Sequence, residues 1–303
     1  MPKYKDIRTL LLGNTIIKMV DLGFHVFDAP CVSSSIIVLK KDDVVSTNVP
    51  FVDIKNILTK NNRTHLLDFI NDGLQEIPVN CYDLSLYKHP IAERIYLNED
   101  GLYSVASDYL RFVEGEHDIQ KENVRTTPNR GFVPLLLDGT MSKYSFVDKV
   151  YTQSDTLITD IHKGERCLLR KTGDTIVVSI PYDFSPAIAH QNVYVVKSTT
   201  DIPVLFWFGF LNSKMLTFLY QNGLYGQKGR TMAQFRKYAL DILPIPPISA
   251  ITQKEIIDYV EKILSAKREN PQADTSEWES QIDEKIYDLY GLDESERKLI
   301  EET

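Results

Sequence analysis

The chain has 303 residues, 43% of them hydrophobic and 25% charged, with a net charge of −8. Such a length suggests about two domains, and such a composition can bury a proper core, which excludes disorder, collagen-like repeats and a disulfide scaffold. The charge is unevenly placed: residues 1–120 hold 12 basic against 17 acidic side chains, 121–248 hold 15 against 10, and 249–303 hold 7 against 15. A basic middle between acidic flanks offers a polyanion a local field, although ordinary scatter gives the same imbalance. The longest apolar run, Ile202–Leu211, falls short of the roughly 20 residues of a membrane span. Met1-Pro-Lys-Tyr-Lys-Asp6 lacks the apolar stretch of a signal peptide. Cys31, Cys81 and Cys167 show neither disulfide nor metal spacing. A cytoplasmic protein with no membrane partner is expected.

In chain order, Tyr4–Met19 carries Ile7, Leu10, Leu11, Leu12, Ile16 and Ile17 near a 3.6 period and predicts a helix. After Gly23, Val32–Leu39 predicts a strand. Such a helix–strand unit cannot bury its own strand, so its neighbours must come from elsewhere. Ile54–Leu58 and Thr64–Ile70 suit short helices, and Arg94–Leu97 and Leu102–Ala106 short strands. Between 121 and 200, β-rich runs alternate with polar loops: Phe132–Leu137, Cys167–Leu169, Thr175–Ile180 and Asn192–Val196. Val204–Tyr220 predicts a helix closed by Gln221-Asn-Gly223. Leu243-Pro-Ile-Pro-Pro247 is extended because each proline fixes φ and restricts its predecessor. Two capping boxes, Thr252-x-x-Glu255 and Ser276-x-x-Glu279, open two amphipathic helices that read as an antiparallel hairpin.

Familiar catalytic signatures are missing. There is no Gly-rich strand-to-helix turn, no Gly-x-Ser-x-Gly elbow and no metal-ligand spacing among the six histidines, which read as ordinary surface or satisfied polar residues. Asp43 with Asp53-Ile-Lys55, or Glu296-Arg-Lys298, imitates a nuclease pattern but reads as solvated charge. The basic block offers more. Lys163, Arg166, Arg170 and Lys171 form one segment, and Gln227, Lys228, Arg230, Arg236 and Lys237 form another, with Arg125, Arg130 and Lys143 nearby in sequence. Arg and Lys neutralise phosphates, while Gln and Arg read base edges. A strand and a helix with solvated faces would look the same.

Resemblance to a known family decides more. Val20-Asp-Leu-Gly-Phe-His-Val-Phe27 followed by Val32–Lys40 resembles the closing segment of an adenine-N6 DNA methyltransferase domain of the TaqI/Eco57I type. Glu165–Asp174, Ala189-His-Gln-Asn-Val-Tyr194, Leu211-Asn-Ser-Lys214 and Leu243-Pro-Ile-Pro246 resemble the TaqI-like C-terminal specificity domain. Ile282–Leu292 is similar to the helical tail of combined (type IIG) restriction–methylation enzymes. The resemblance runs over nearly the whole chain in the family's order. It implies an α/β fold: a remnant methyltransferase unit over 1–45, a mixed α/β target-recognition domain over 46–248, and a helical C-terminal tail over 249–303.

The family's Phe-x-Gly-x-Gly cofactor motif and Asn-Pro-Pro-Tyr catalytic motif do not occur here. The chain therefore reads as the C-terminal portion of such an enzyme, a truncated gene product, or a stand-alone specificity protein. No catalytic residue or metal ligand is assigned, and S-adenosylmethionine is expected only in a full enzyme. Phe27 matches the family aromatic that stacks on the flipped base, and a core aromatic beside Phe24 is the competing reading. The partners implied are double-stranded DNA and a methyltransferase catalytic domain or subunit. The alternative is a protein–protein scaffold whose acidic tail helices pair with another subunit.

Overall fold

In the computed structural model, residues 14–23, 34–41, 48–53, 75–78, 89–117, 119, 124–153, 159–182, 184–223 and 233–302 are described. They divide into two compact units, Met1–Leu86 and Tyr87–Thr303. In the first, strands β1 (Thr15–Gly23), β2 (Ser34–Lys40), β3 (Asn48–Asp53) and β4 (Gln75–Pro78) form one sheet in the order β2-β1-β3-β4. β1 pairs with β2 antiparallel and with β3 parallel. This corrects the helix expected over Tyr4–Met19 from Thr15 onward. Thr15, Ile16, Ile17 and Val20 are β-branched, and Ile16, Val20 and Leu22 are buried while Ile17 is exposed, as a strand requires. β1 also finds its neighbours within the chain. The start of that helix, Phe27 and the helices expected at 54–58 and 64–70 lie outside the described residues.

The second unit opens with helix α1 (Pro90–Leu97), where a strand was expected at Arg94–Leu97. The His89 ring accepts from the Ile91 N–H at 3.2 Å, Pro90 supplies the first-turn φ, and Asn98 ends the helix in the left-handed region at φ 50°. Ile91, Ala92 and Ile95 are buried at helical spacing.

Short strands follow: β5 (Ser104–Val105), β6 (Leu110–Glu114), β7 (Val124–Arg125), β8 (Val133–Leu136), β9 (Ser145–Val147), β10 (Lys149–Thr152), β11 (Cys167–Arg170), β12 (Val178–Pro181), β13 (Ile188–Ala189), β14 (Val193–Ser198) and β15 (Pro244–Ile245). The central five-stranded sheet runs β6-β14-β11-β12-β9, a second has the order β13-β8-β10-β7, and β15 pairs with β5. Cys167–Arg170 and Val193–Ser198 match the strands expected there, and the extended Leu243–Pro247 segment supplies β15.

The helix expected over Val204–Tyr220 is two helices, α2 (Val204–Asn212) and α3 (Lys214–Asn222). Ser213, with ψ 154°, breaks the run; its hydroxyl donates to the Phe210 carbonyl at 2.8 Å and accepts from the Leu216 N–H at 3.3 Å. One serine therefore satisfies the end of one helix and the start of the next. α2 is buried on nearly every side, with Phe206, Trp207, Phe208, Phe210 and Leu211 fully enclosed. After α4 (Lys237–Asp241), the tail supplies α5 (Ala250–Glu269), α6 (Ser276–Leu289) and α7 (Glu294–Glu301). α5 packs on both α2 and α6. A Cβ on Gly209 would sit 2.8 Å from methyls of Ile256 and Val260, so that glycine sets how closely α2 meets α5.

The expected tail hairpin is present, with shifted caps and a further helix. Ser249, not Thr252, caps α5; the Ser249 hydroxyl accepts from the Thr252 N–H at 3.1 Å. Glu255 is free to accept from Lys285 of α6 at 3.0 Å. Thr275 precedes α6 and donates to Glu279 at 2.6 Å. Asp293 and Glu296 form a true capping box that opens α7, in the stretch read as solvated charge.

Beside this break, the Asn212 amide faces the backbone of Val178. Its Oδ1 accepts from the Val178 N–H at 2.9 Å, and its Nδ2 donates to the Val178 carbonyl at 2.8 Å. The Lys214 N–H donates to Asp283 of α6 at 2.9 Å. Burial raises the Asp283 pKa to about 6, against the opposing Lys214 N–H bond and the charges of Lys214 and Lys143.

Asn212→Ala should strand both Val178 groups in the interior and lower stability by about 1–3 kcal/mol for each, read as the midpoint of chemical unfolding. Asp283 binds a proton more tightly folded than unfolded, so its ionisation erodes stability as pH rises from about 4 to about 6. Asp283→Asn should therefore gain on the parent across that window, and parallel stability–pH curves would refute it.

Candidate nucleic-acid interface

The two basic segments distant in sequence meet in space. β11 ends at Arg170, and Thr172-Gly173-Asp174 turns the chain back toward β12, with Gly173 at φ 111° where a side chain would be strained. Residues 233–236 lie across this turn. The Gly173 N–H donates to the Ala233 carbonyl and the Phe235 N–H to the Lys171 carbonyl, both at 2.8 Å, on either side of an antiparallel Thr172–Gln234 bridge.

Aromatic residues latch this crossing from beneath. Phe235 is buried with its ring 4.5 Å from that of Tyr220. The Tyr220 hydroxyl donates to the Gln234 carbonyl at 3.3 Å and accepts from the Arg236 N–H at 3.2 Å. The Tyr194 hydroxyl lies 3.2 Å from both the Phe235 carbonyl and Glu114 Oε1. Burial, then the Glu114 charge, raises the Tyr194 pKa, so this hydroxyl stays a donor at any ordinary pH. Glu114 is held below the usual carboxylate range by the Lys171 hydrogen bond, against the effect of burial.

The expected contact residues divide. Arg236 and Lys237 are exposed at the start of α4, beside the half-exposed Tyr238. The Lys237 ammonium reaches Asp241 at 2.6 Å, a solvent-facing pair of little energetic weight that a phosphate can replace. Arg170 is half-buried, and its Nε donates to the Thr172 carbonyl at 3.0 Å, stiffening the turn. Lys171 is mostly covered; it pairs with Glu114 at 2.8 Å and lies 5.6 Å from the centre of the Tyr194 ring. Lys163 is exposed and pairs with Asp160 at 3.3 Å.

Arg166 requires a correction. It is fully buried, and its guanidinium donates to the carbonyls of Gly164 at 2.6 Å and Ser185 at 2.9 Å. A side chain fixed to interior carbonyls cannot also reach a base edge, so Arg166 organises the loop. Lys143 is also turned inward, donating to the Asn212 carbonyl at 2.9 Å, and burial lowers its pKa. His162, expected at the surface or satisfied, is fully buried, with its Nδ1 3.3 Å from the Thr159 hydroxyl. Arg125 and Arg130 are exposed on and after β7. Gln227, Lys228 and Arg230 lie outside the described residues, in the stretch between α3 and Ala233. Sequence reasoning missed Glu114, Tyr194 and Tyr220. Their part depends on pairing across the fold, which no local pattern carries. Among the described residues, no group of three or more His, Cys, Asp or Glu could hold a metal, and no helix is long and apolar enough to cross a membrane.

Residues 108–245 match the family model of the TaqI-like C-terminal specificity domain. No curated protein matches the chain. Among solved structures, the type IIG restriction endonuclease BpuSI is similar at 10% identity and TM-score 0.44, over 96% of this chain and 46% of that one. The S subunit of a type I restriction–modification system from M. genitalium is similar at 15% identity and TM-score 0.36, over 53% and 37% respectively. The HsdS subunit from Thermoanaerobacter tengcongensis is similar at 13% identity and TM-score 0.36, over 68% and 48%. The chain thus spans less than half the length of each.

Tyr194→Phe removes the hydroxyl that joins β14 to the 233–236 crossing. It should cost about 0.5–1.5 kcal/mol and speed protease cleavage between Asn222 and Lys237. Unchanged cleavage there would show that the crossing is held without it.

Proposed function

We propose, from the match of residues 108–245 to a specificity domain, that this chain recognises a DNA sequence for a restriction–modification enzyme of the adenine-N6 methyltransferase family. The observation that carries the reading is the Thr172–Gln234 bridge, which joins the two basic segments on one side of one domain. Lys237 and Arg236 stand exposed beside that bridge, Arg170 and the Glu114-paired Lys171 frame its turn, Lys163 lies before the other end of β11, and Gln227, Lys228 and Arg230 belong to the stretch that leads into it. Lysine acts as a flexible point charge toward phosphate, whereas a guanidinium can pair in bidentate fashion with a guanine edge.

The chain has no Phe-x-Gly-x-Gly and no Asn-Pro-Pro-Tyr sequence, so its residues do not fit S-adenosylmethionine and cannot grip the amino group of an adenine. Methyl transfer belongs to a catalytic domain or subunit that partners this one, in the cytoplasm where DNA is reached. Phe27 remains the candidate for stacking on a flipped base. The rival reading, a scaffold that pairs subunits through its tail, is less favoured because α5 and α6 already cover α2 and each other.

Titration of the full chain against a site selected from random duplexes, and against a scrambled duplex, tests the reading. Lys228→Ala and Lys237→Ala should weaken both alike and lower the log–log salt slope by about one each. Arg230→Ala and Arg236→Ala should lose about 1–3 kcal/mol on the selected site alone. No affinity for any duplex would return the scaffold.

A further inference from the structure

A second cationic group occupies the other face of the edge strand β6. Arg111 on β6 and Lys197 on β14 are direct cross-strand partners. With Val113, Val195, Asp160 and Ile161 they line a pocket of about 110 Å³. Like charges placed opposite one another weaken a sheet, and here the Asp160 carboxylate at the pocket rim offsets them only in part. The Asp160 carboxylate lies 3.3 Å from Lys163, while the Lys197 ammonium reaches only the Asp160 backbone carbonyl, at 2.5 Å. Arg111 makes no ion pair among the described residues. The field of the group is felt around it. Burial first, then Arg166 and Arg111 against the opposing Asp160 charge, depress the Lys197 pKa, and burial with Arg166 and Lys197 lowers His162 to about 4. Two cations beside a valine-lined surface, in a concavity of this size, complement one small polyanionic group.

We propose that the Arg111–Lys197 pocket seats a phosphate of the DNA backbone. The inference rests on the DNA-recognition reading of residues 108–245 and lengthens the footprint along β6. Glu114, the partner of Lys171, lies three residues farther along the same strand, about 10 Å at roughly 3.3 Å per residue. An odd spacing sets Arg111 and Glu114 on opposite faces of β6, so the pocket adds a contact around the sheet edge from Lys171. Such a contact positions the duplex and carries no sequence information.

The test uses the full chain with Arg111→Gln and Lys197→Gln combined, titrated with a mixed-sequence duplex over a salt series. Each lost phosphate contact should lower the log–log slope by about 0.9. The ratio of selected to scrambled affinity should stay unchanged, and Arg111→Lys should keep most of the parent slope. Because a repulsive pair is relieved, the melting temperature of the double variant should equal or exceed that of the parent. If the double variant melts early, the single Arg111→Gln change at an exposed side chain repeats the measurement. An unchanged slope while the parent binds DNA overturns the pocket alone. Absence of duplex binding by the parent overturns the reading of 108–245 and the pocket with it. Inorganic phosphate alone separates the sources: a thermal shift lost in the variant, with the DNA slope unmoved, would assign the pocket to free phosphate and overturn the backbone contact.

Discussion

The Asn212 side chain stands in for a strand. Its amide presents one acceptor and one donor to Val178, in the manner of a neighbouring backbone, at the point where β9 no longer flanks β12. A buried strand edge with unpaired groups would be costly. The amide closes that edge and in the same stroke anchors the end of α2. The helical break follows at once, with the Ser213 hydroxyl satisfying the end of α2 and the start of α3. Lys143 then reaches the Asn212 carbonyl and Asp283 the Lys214 N–H. Sheet, helix pair and tail are thereby joined within three consecutive residues.

This arrangement explains which parts of the fold were legible in the sequence. Hydrophobic runs located the strands at 133–136, 167–170 and 193–198 and the long tail helices, since burial writes a local period. The strand expected at Val32–Leu39 is present as β2, whereas β1 was hidden because Ile16, Ile17 and Met19 fit either period until a partner strand selects one. The His89 cap of α1 was hidden by its residue type. The resemblance quoted Leu211-Asn-Ser-Lys214 without revealing why those residues stand together; the Val178 pairing supplies the reason.

The site was half legible for a related cause. Charge in the sequence marks where arginine and lysine occur, not which way they face. Arg166, Lys143 and, in large part, Lys171 are directed into the fold, where carbonyls and a carboxylate fix them, whereas Arg236 and Lys237 face water. Inward cations hold the geometry, and outward ones remain available to a ligand. Burial, not composition, separates the two sets. The bringing together of 170–174 and 233–236 depends on Tyr194 and Tyr220, and aromatic residues in a β-rich chain announce a core before they announce a latch.

The crowded surroundings of α2 also impose an order on how the molecule is made. Its aromatic residues belong to the same core as Ile256, Val260, Ile282, Ile286 and Tyr290, and the Tyr290 hydroxyl donates at 2.6 Å to the Pro244 carbonyl. A nascent chain that has emerged only to Pro246 holds every residue of the specificity match, yet leaves one flank of α2 uncovered. At about 5–20 residues per second, several seconds separate the emergence of β15 from that of Tyr290. During that interval the polypeptide exposes phenylalanine and tryptophan rings to water. The tail thus acts as a clasp for the newly synthesised domain, and a ribosome stalled between these points would release a product prone to aggregation.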